Sequence, residues 1–576
     1  MKLLLFILLS CNCLLIAQTM DWRIAQQIGD NTGNEEVRDM AIDSEGNVYI
    51  VGSFYATITW GNQSMTSQGY NDGFLIKINC SGQLEWMQQL SGSGYDEIRC
   101  VTVDKDDNII IGGFFGLNGS QSNIGGFTIT SAGNRDIFIA KGDEQGNFLW
   151  VNDYGGSSSD SPAGITTDSV GDIYVTGSFS TSLSFGGQSW LSNGAMDLFI
   201  CKLSSSGNDL WFYPSGGTGY DYGNAIKVKD DKVYVCGDFE NTVNFGTGPL
   251  NSNGDYDIFL MCMDTTSTVI NWVNTYGSNV LDGGYDIEVN SQGDILMCGE
   301  LDGAISFGNG VNISPQGGAA NSYIIKLDQS GSTVWGHGLI SNDDVYAYEC
   351  ELDNDDNVYV TGAMFAQTNV NNLTMDVSGG TTFWYNNTFL FMLDDSGNGI
   401  WELNVPGDGM NNHGFGMVVN GSNEVYLGGR VEGVNTFGSL PSISGDLNNT
   451  QSAYVALYGR PDLKYIHNIQ TDSLDGCDRV TLLANDGALN YVWYADNIEV
   501  QVGLIDSLIS PSLSTYIVED QACPEDRDTF VLYGTMNGQI NTNSPMSFCV
   551  GDDIQIQAGG ANIYNWAPSS YLSCDD

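Results

Sequence analysis

The side chains in this chain that could run acid–base chemistry are almost all carboxylates. Asp and Glu total 70, against 18 Lys and Arg and 3 His. His337, His413 and His467 stand alone: none sits in a Ser-His-Asp order, a His-Glu-x-x-His pair or a phosphate loop. The cysteines form no Cys-x-x-Cys or Cys/His set of the spacing that zinc needs. Paired carboxylates alone can cleave glycosidic bonds. Abundant acids therefore keep a polysaccharide hydrolase or lyase open as an alternative function, although no particular residue is marked as catalytic.

Three constellations are candidates for binding. Aligned on a recurring strand, Glu35, Asp96, Asp160, Asp221 and Asp282 occupy one position, Asp344 is displaced by one, and Asn412 takes the seventh place. An acid repeated in every unit suits the bonding of loop backbone N–H groups; a metal role for Asp96, Asp160, Asp221 and Asp282, with calcium as the ion, is the sharper reading. Asp353-Asn-Asp355-Asp356-Asn357 looks like a calcium loop but lacks the 12-residue pattern and falls at a repeated turn. Phe383, Trp384 and Tyr385 lie in the longest irregular insertion, Phe365 to Asn387. There they could stack on a sugar ring or a partner's apolar patch, or plug their own unit.

The elements carrying these residues follow from internal repetition. A turn, a strand and a Gly recur seven times, ending at Gly52, Gly113, Gly177, Gly237, Gly299, Gly362 and Gly429, about 60 to 67 residues apart. A second phrase runs from Asx through an aromatic strand and a Gly turn to Trp, as in Asp136-Ile-Phe138 leading to Trp150. The tryptophans are Trp22, Trp86, Trp150, Trp211, Trp272, Trp335 and Trp401, and the series is shifted by one unit against the glycines. Each unit then supplies two hairpins, a four-stranded blade, and the strand around Trp22 completes the seventh. The fold class is all-β: a seven-bladed β-propeller over residues 18–459, with Trp filling the outer wedge between blades. Cys236 and Cys298, just before the repeated Gly, read as small buried apolar side chains.

The stretch Gly155-Gly156…Asp160…Gly164-Ile165…Asp168…Gly171-Asp172-Ile173-Tyr174-Val175-Thr176-Gly177 resembles the bacterial SBBP propeller repeat. The resemblance covers about residues 22 to 459 and implies a scaffold in exported proteins, with no catalytic residues to carry over. Asp328-Gln-Ser-Gly331-Ser-Thr-Val-Trp335 is similar to a sialidase Asp-box, but two of its spacings are one residue too long. It also resembles the Trp-docking motif of quinone-dependent dehydrogenase propellers, which is structural.

Outside the ring, residues 1–17 read as a signal peptide cut after Ala17, with a lipoprotein box at Cys11 as the rival. No later stretch is long and apolar enough to span a membrane. Cys477 and Trp493 are echoed by Cys549 and Trp566, 72 and 73 residues on. This resembles tandem immunoglobulin-like or PKD-like modules of surface proteins exported through type IX secretion. One would occupy 460–535 and a second, expected to be cut short, 536–576; Cys477 and Cys523 could pair as a disulfide. The formal charge of −52 disfavours nucleic acid and anionic membranes. The expectation is a non-enzymatic, monomeric binding or adhesion scaffold with an extracellular glycan or protein partner and no cofactor, or else a purely structural surface component.

Overall fold

A computed structural model describes residues 20–29, 33–377, 385–445 and 450–459 in full, and only backbone strands between residues 466 and 558. Trp22–Tyr458 forms one compact unit. It contains seven antiparallel four-stranded blades, every inner strand lying beside its second strand, then the third, then the outer strand. In blade one these are Glu35–Ile42, Val48–Phe54, Asp72–Ile78 and Leu84–Gly92. Blade seven consists of His413–Val419, Val425–Val431, Ser452–Gly459 and, from the other end of the unit, Asp21–Ile28. The N-terminal strand thus closes the ring as the shifted Trp series required. It also covers the strand edge that would otherwise stay open.

Second strands are buried from end to end, as Val48–Phe54 and Ile173–Phe179 show. They are rich in β-branched and aromatic residues because both faces pack against neighbouring blades. The outer tryptophans work between blades: Trp150 lies over Gly207 and Trp272 over Gly331, both turn glycines of the following blade. Trp272 and Trp335 also donate their indole N–H to turn carbonyls of Gln329 and Asp395. Blade seven departs from this pattern. Ile24 contacts the turn at Gly82, whereas Trp22 packs inside its own blade, 5.0 Å from Phe437 and 5.3 Å from Tyr458.

Each blade also carries a short hairpin between its second and third strands, such as Thr57–Trp60 with Gln63–Thr66. The hairpin strand Gln121–Ile124 pairs with Leu84–Gly92, the outer strand of the preceding blade, and so clasps two blades together. The insertion from Phe365 to Asn387 contains the same device, Thr368–Val370 paired with Leu373–Met375, so much of it is regular. Cys236 and Cys298 are buried free thiols.

Of residues 459–576, which fall to the other unit, the described strands form two sheets. One contains Ile466–Leu474, Cys477–Ala484, Ser507–Ile509 and Phe548–Cys549; the other runs from Ile498–Gly503 to Ile554–Ala558. Cys477 is the register partner of Cys549. Cys523, residues 1–17 and Trp566 lie outside the described residues. No helix among the described residues is long and apolar enough to cross a membrane.

Candidate functional site

The repeated Gly of the second strand determines what the inner strand can do. A Cβ at Gly177 would lie 2.2 Å from the Ser161 carbonyl oxygen; at Gly52 it would lie 2.0 Å from that of Glu36. The missing side chain lets the inner strand press in and bulge by one residue, a known role of Gly in sheets. The bulge recurs at the same place in all seven blades, skipping Arg38, Arg99, Ala163, Asn224, Tyr285, Tyr348 and Phe415. Those seven residues line a cavity of about 420 Å³ in the central channel, together with Tyr222 and Asp238.

The residue after each repeated Gly forms a second varying set, including Asp238, Glu300 and Arg430. Around these two sets the channel mouth divides by chemistry. On one side Arg38 is held by Glu36 at 2.5 Å and Glu97 at 2.9 Å, and Arg430 by Glu36 at 3.0 Å. Arg99 is only 3.9 Å from Glu97 and keeps a side-chain exposure of 35 %. On the other side the rings form an arc: Tyr285–Tyr348 at 6.2 Å, Tyr346–Tyr348 at 5.8 Å and Tyr348–Phe415 at 5.0 Å. Arg430 stacks on Phe415 with its guanidinium carbon 5.2 Å from the centroid.

Two carboxyls face the arc. Asn224 donates to Asp238 at 2.6 Å, and the Tyr285 hydroxyl donates to Glu300. Burial pushes both acids up to about 7. Burial and Arg430 bring His413 down to about 3, so its ring is neutral beside the Tyr348 hydroxyl at 3.1 Å.

Below the bulge ring the channel turns acidic. Asp39, Asp286 and Glu349 follow the bulge residues, and Lys227, Glu288 and Glu351 line the next layer. Asp39 accepts from the Val101 N–H and Asp286 from the Cys350 N–H, each in the following blade. These acids are raised by burial, Asp39 to about 6 and Asp286 to about 7. They act as tethers between inner strands.

Two of the blade units carry the SBBP β-propeller repeat: its family model matches residues 24–53 and 150–178. Each match runs from an outer strand into the first two strands of the next blade, and so includes the bulge. An uncharacterized WD repeat-containing protein of Acanthamoeba polyphaga mimivirus is 20 % identical over 86 % of this chain, which spans 42 % of that protein's length. Three solved structures are similar to this chain at low identity. A protein of unknown function from Bacteroides caccae is 10 % identical, covering 57 % of this chain and 89 % of its own, with a TM-score of 0.29. The Pan2 WD40 domain of Neurospora crassa is 12 % identical, covering 77 % and 98 %, at 0.36. A Bacillus licheniformis rhamnogalacturonan lyase is 10 % identical, covering 88 % and 89 %, at 0.26.

The site expected from sequence lies elsewhere. Asp96, Asp160, Asp221 and Asp282 are fully buried, each at a separate blade junction, where they cap loop backbone. Asp160 accepts from the N–H groups of Gly156 and Ser180, Asp221 from Gly217, and Asp282 from Asp302. Among the described residues no three His, Cys, Asp or Glu side chains converge as a metal site. Asp353 accepts from the N–H groups of Asp355 and Asn357 and closes its own turn; Asp328 does the same with Ser330 and Ser332. Phe383 and Trp384 fall outside the described residues, and Tyr385 is half-buried. His337 stacks on Trp335 at 5.3 Å, away from the channel.

The channel residues escaped notice because a bulge is invisible to a simple period-2 reading. The available signal was positional. Unlike residues stand on both sides of a glycine that is itself repeated.

Proposed function

We propose that this chain is an exported, non-enzymatic binding scaffold whose propeller takes an extracellular glycan or protein partner at the mouth of its central channel. The observation that carries the reading is the contrast at the bulge. A repeated glycine builds the same backbone seven times, while the seven side chains it exposes differ in charge, size and aromaticity. Scaffold positions repeat; recognition positions need not. The strands beyond residue 460 would serve as immunoglobulin-like spacers of a surface-exposed adhesin handled by type IX secretion. Binding of the full chain to glycan arrays and matrix proteins tests the reading, with Tyr348→Ala expected to abolish the hits.

The alternative, a carboxylate-based polysaccharide hydrolase or lyase, draws on Asp238, which lines the cavity, and on Glu300, bonded to Tyr285 beside it; burial raises both to about 7. Turnover of any arrayed glycan, lost in Asp238→Asn or Glu300→Gln, would replace the binding reading with an enzymatic one.

A further inference from the structure

We infer that the channel mouth takes a sugar ring bearing one carboxylate, a uronate set in an otherwise neutral glycan; this rests on the binding reading above. The argument begins with where the cations are. In a chain of net charge −52, four of the eight described lysines are buried, among them Lys141 on Asp104 at 2.6 Å, Lys326 on Asp395 and Asp294 at 2.5 and 3.1 Å, and Lys202 on Asp172 at 2.9 Å. Three arginines nevertheless meet at the mouth, Arg38, Arg99 and Arg430, against two carboxylates, Glu36 and Glu97. Within this group of ion pairs the arginines outnumber the carboxylates by one, and Arg99 holds the longest pair with the most exposed side chain. A guanidinium so placed suits bidentate capture of a carboxylate.

The opposite wall specifies the rest of the ligand. The rings of Tyr285 and Tyr348 offer faces for the C–H side of a pyranose, with Phe415, stacked under Arg430, at their edge. Asp238 and Glu300 offer acceptors for its hydroxyls, and Asn224 is held in place by its bonds to Asp238 and the Gly284 carbonyl. A cavity of about 420 Å³ sits within the roughly 300–1,000 Å³ usual for small-ligand sites. A polyuronate would carry many charges into the field of a strongly acidic molecule, so a single acidic residue fits better than a run of them.

The test is calorimetry on the full chain with three probes: a neutral oligosaccharide ended by one glucuronate, its methyl ester, and polygalacturonate. The glucuronate is expected to bind at least tenfold more tightly than the ester. Arg99→Gln should remove that difference, and Lys105→Gln, paired with Asp106 on an exposed turn, should leave it in place. Equal binding of acid and ester, or tighter binding of polygalacturonate, overturns the uronate assignment but leaves a binding mouth in place if Tyr348→Ala abolishes it. Binding of all three probes that Arg99→Gln and Tyr348→Ala leave untouched overturns both. So does no binding to any probe, array glycan or matrix protein.

Discussion

Alanine at position 177 would drive its Cβ to 2.2 Å from the Ser161 carbonyl and 2.7 Å from Pro162 Cα, both backbone atoms. Neither can rotate away, so the bulge itself must shift. Overpacking of this kind costs roughly 1–3 kcal/mol or more, and Gly177→Ala should lower the urea midpoint accordingly. Gly142→Ala is the control, because its nearest neighbour would be 3.5 Å away at an ordinary φ. A Gly177→Ala variant as stable as the parent would mean that the repeated glycine does not shape the inner strand. The glycine was legible from sequence as a point of close approach. What it approaches was not: Glu35–Ile42 counts eight residues opposite seven in Val48–Phe54, and only the backbone shows where the extra one goes.

Between neighbouring blades, buried carboxyls act on one another in pairs. The charge of Asp72 acts on Asp96, that of Asp136 on Asp160, and that of Asp197 on Asp221. Burial is the main cause of their shifts: Asp72 and Asp136 rise to about 6, Asp96 and Asp221 to about 7, Asp160 to about 8. Asp72 Oδ1, Asp96 Oδ2, Asp136 Oδ1 and Asp197 Oδ1 are buried without hydrogen-bond partners, which favours their protonated forms. Blades five and six place Asn321 and Asn387 where the earlier blades have these third-strand aspartates. The sign is fixed by linkage: a carboxyl raised on folding stabilises fully below its unfolded pKa, and that stability is lost as pH rises through the folded value. The melting temperature should therefore fall from pH 5 to pH 8.5. Asp136→Asn with Asp197→Asn should flatten that fall, whereas the exposed Asp231→Asn should not; identical slopes in all three proteins would exclude these buried acids as its source. Sequence showed the register of both acid series without showing that they act on one another, because the two members of each pair stand on different blades.

At the scale of the whole ring, closure depends on one strand from the far end of the unit. The blade count, strand order and closing strand were legible because two phrases repeat out of step. The packing of the closing strand was not: spacing gave Trp22 the place that Ile24 takes over Gly82. Asp21–Ile28 also brings Arg23 to Glu424 at 2.7 Å, with side-chain exposures of 11 % and 3 %. Removing one member of a buried pair strands the other charge, at a cost of about 3–5 kcal/mol. Deleting residues 18–30 removes this pair and the Trp22 cluster with Phe437 and Tyr458, and bares the Ser452–Gly459 edge. The shortened protein should melt lower and associate through that edge, the usual fate of an unpaired strand. A synthetic peptide of residues 18–30 added in trans should restore both melting and monomer mass, since it supplies the same ladder and the same arginine. An Arg23→Met peptide should restore less. If the deletion melts like the parent, or if the peptide leaves it unchanged, the seventh blade is not closed by this strand.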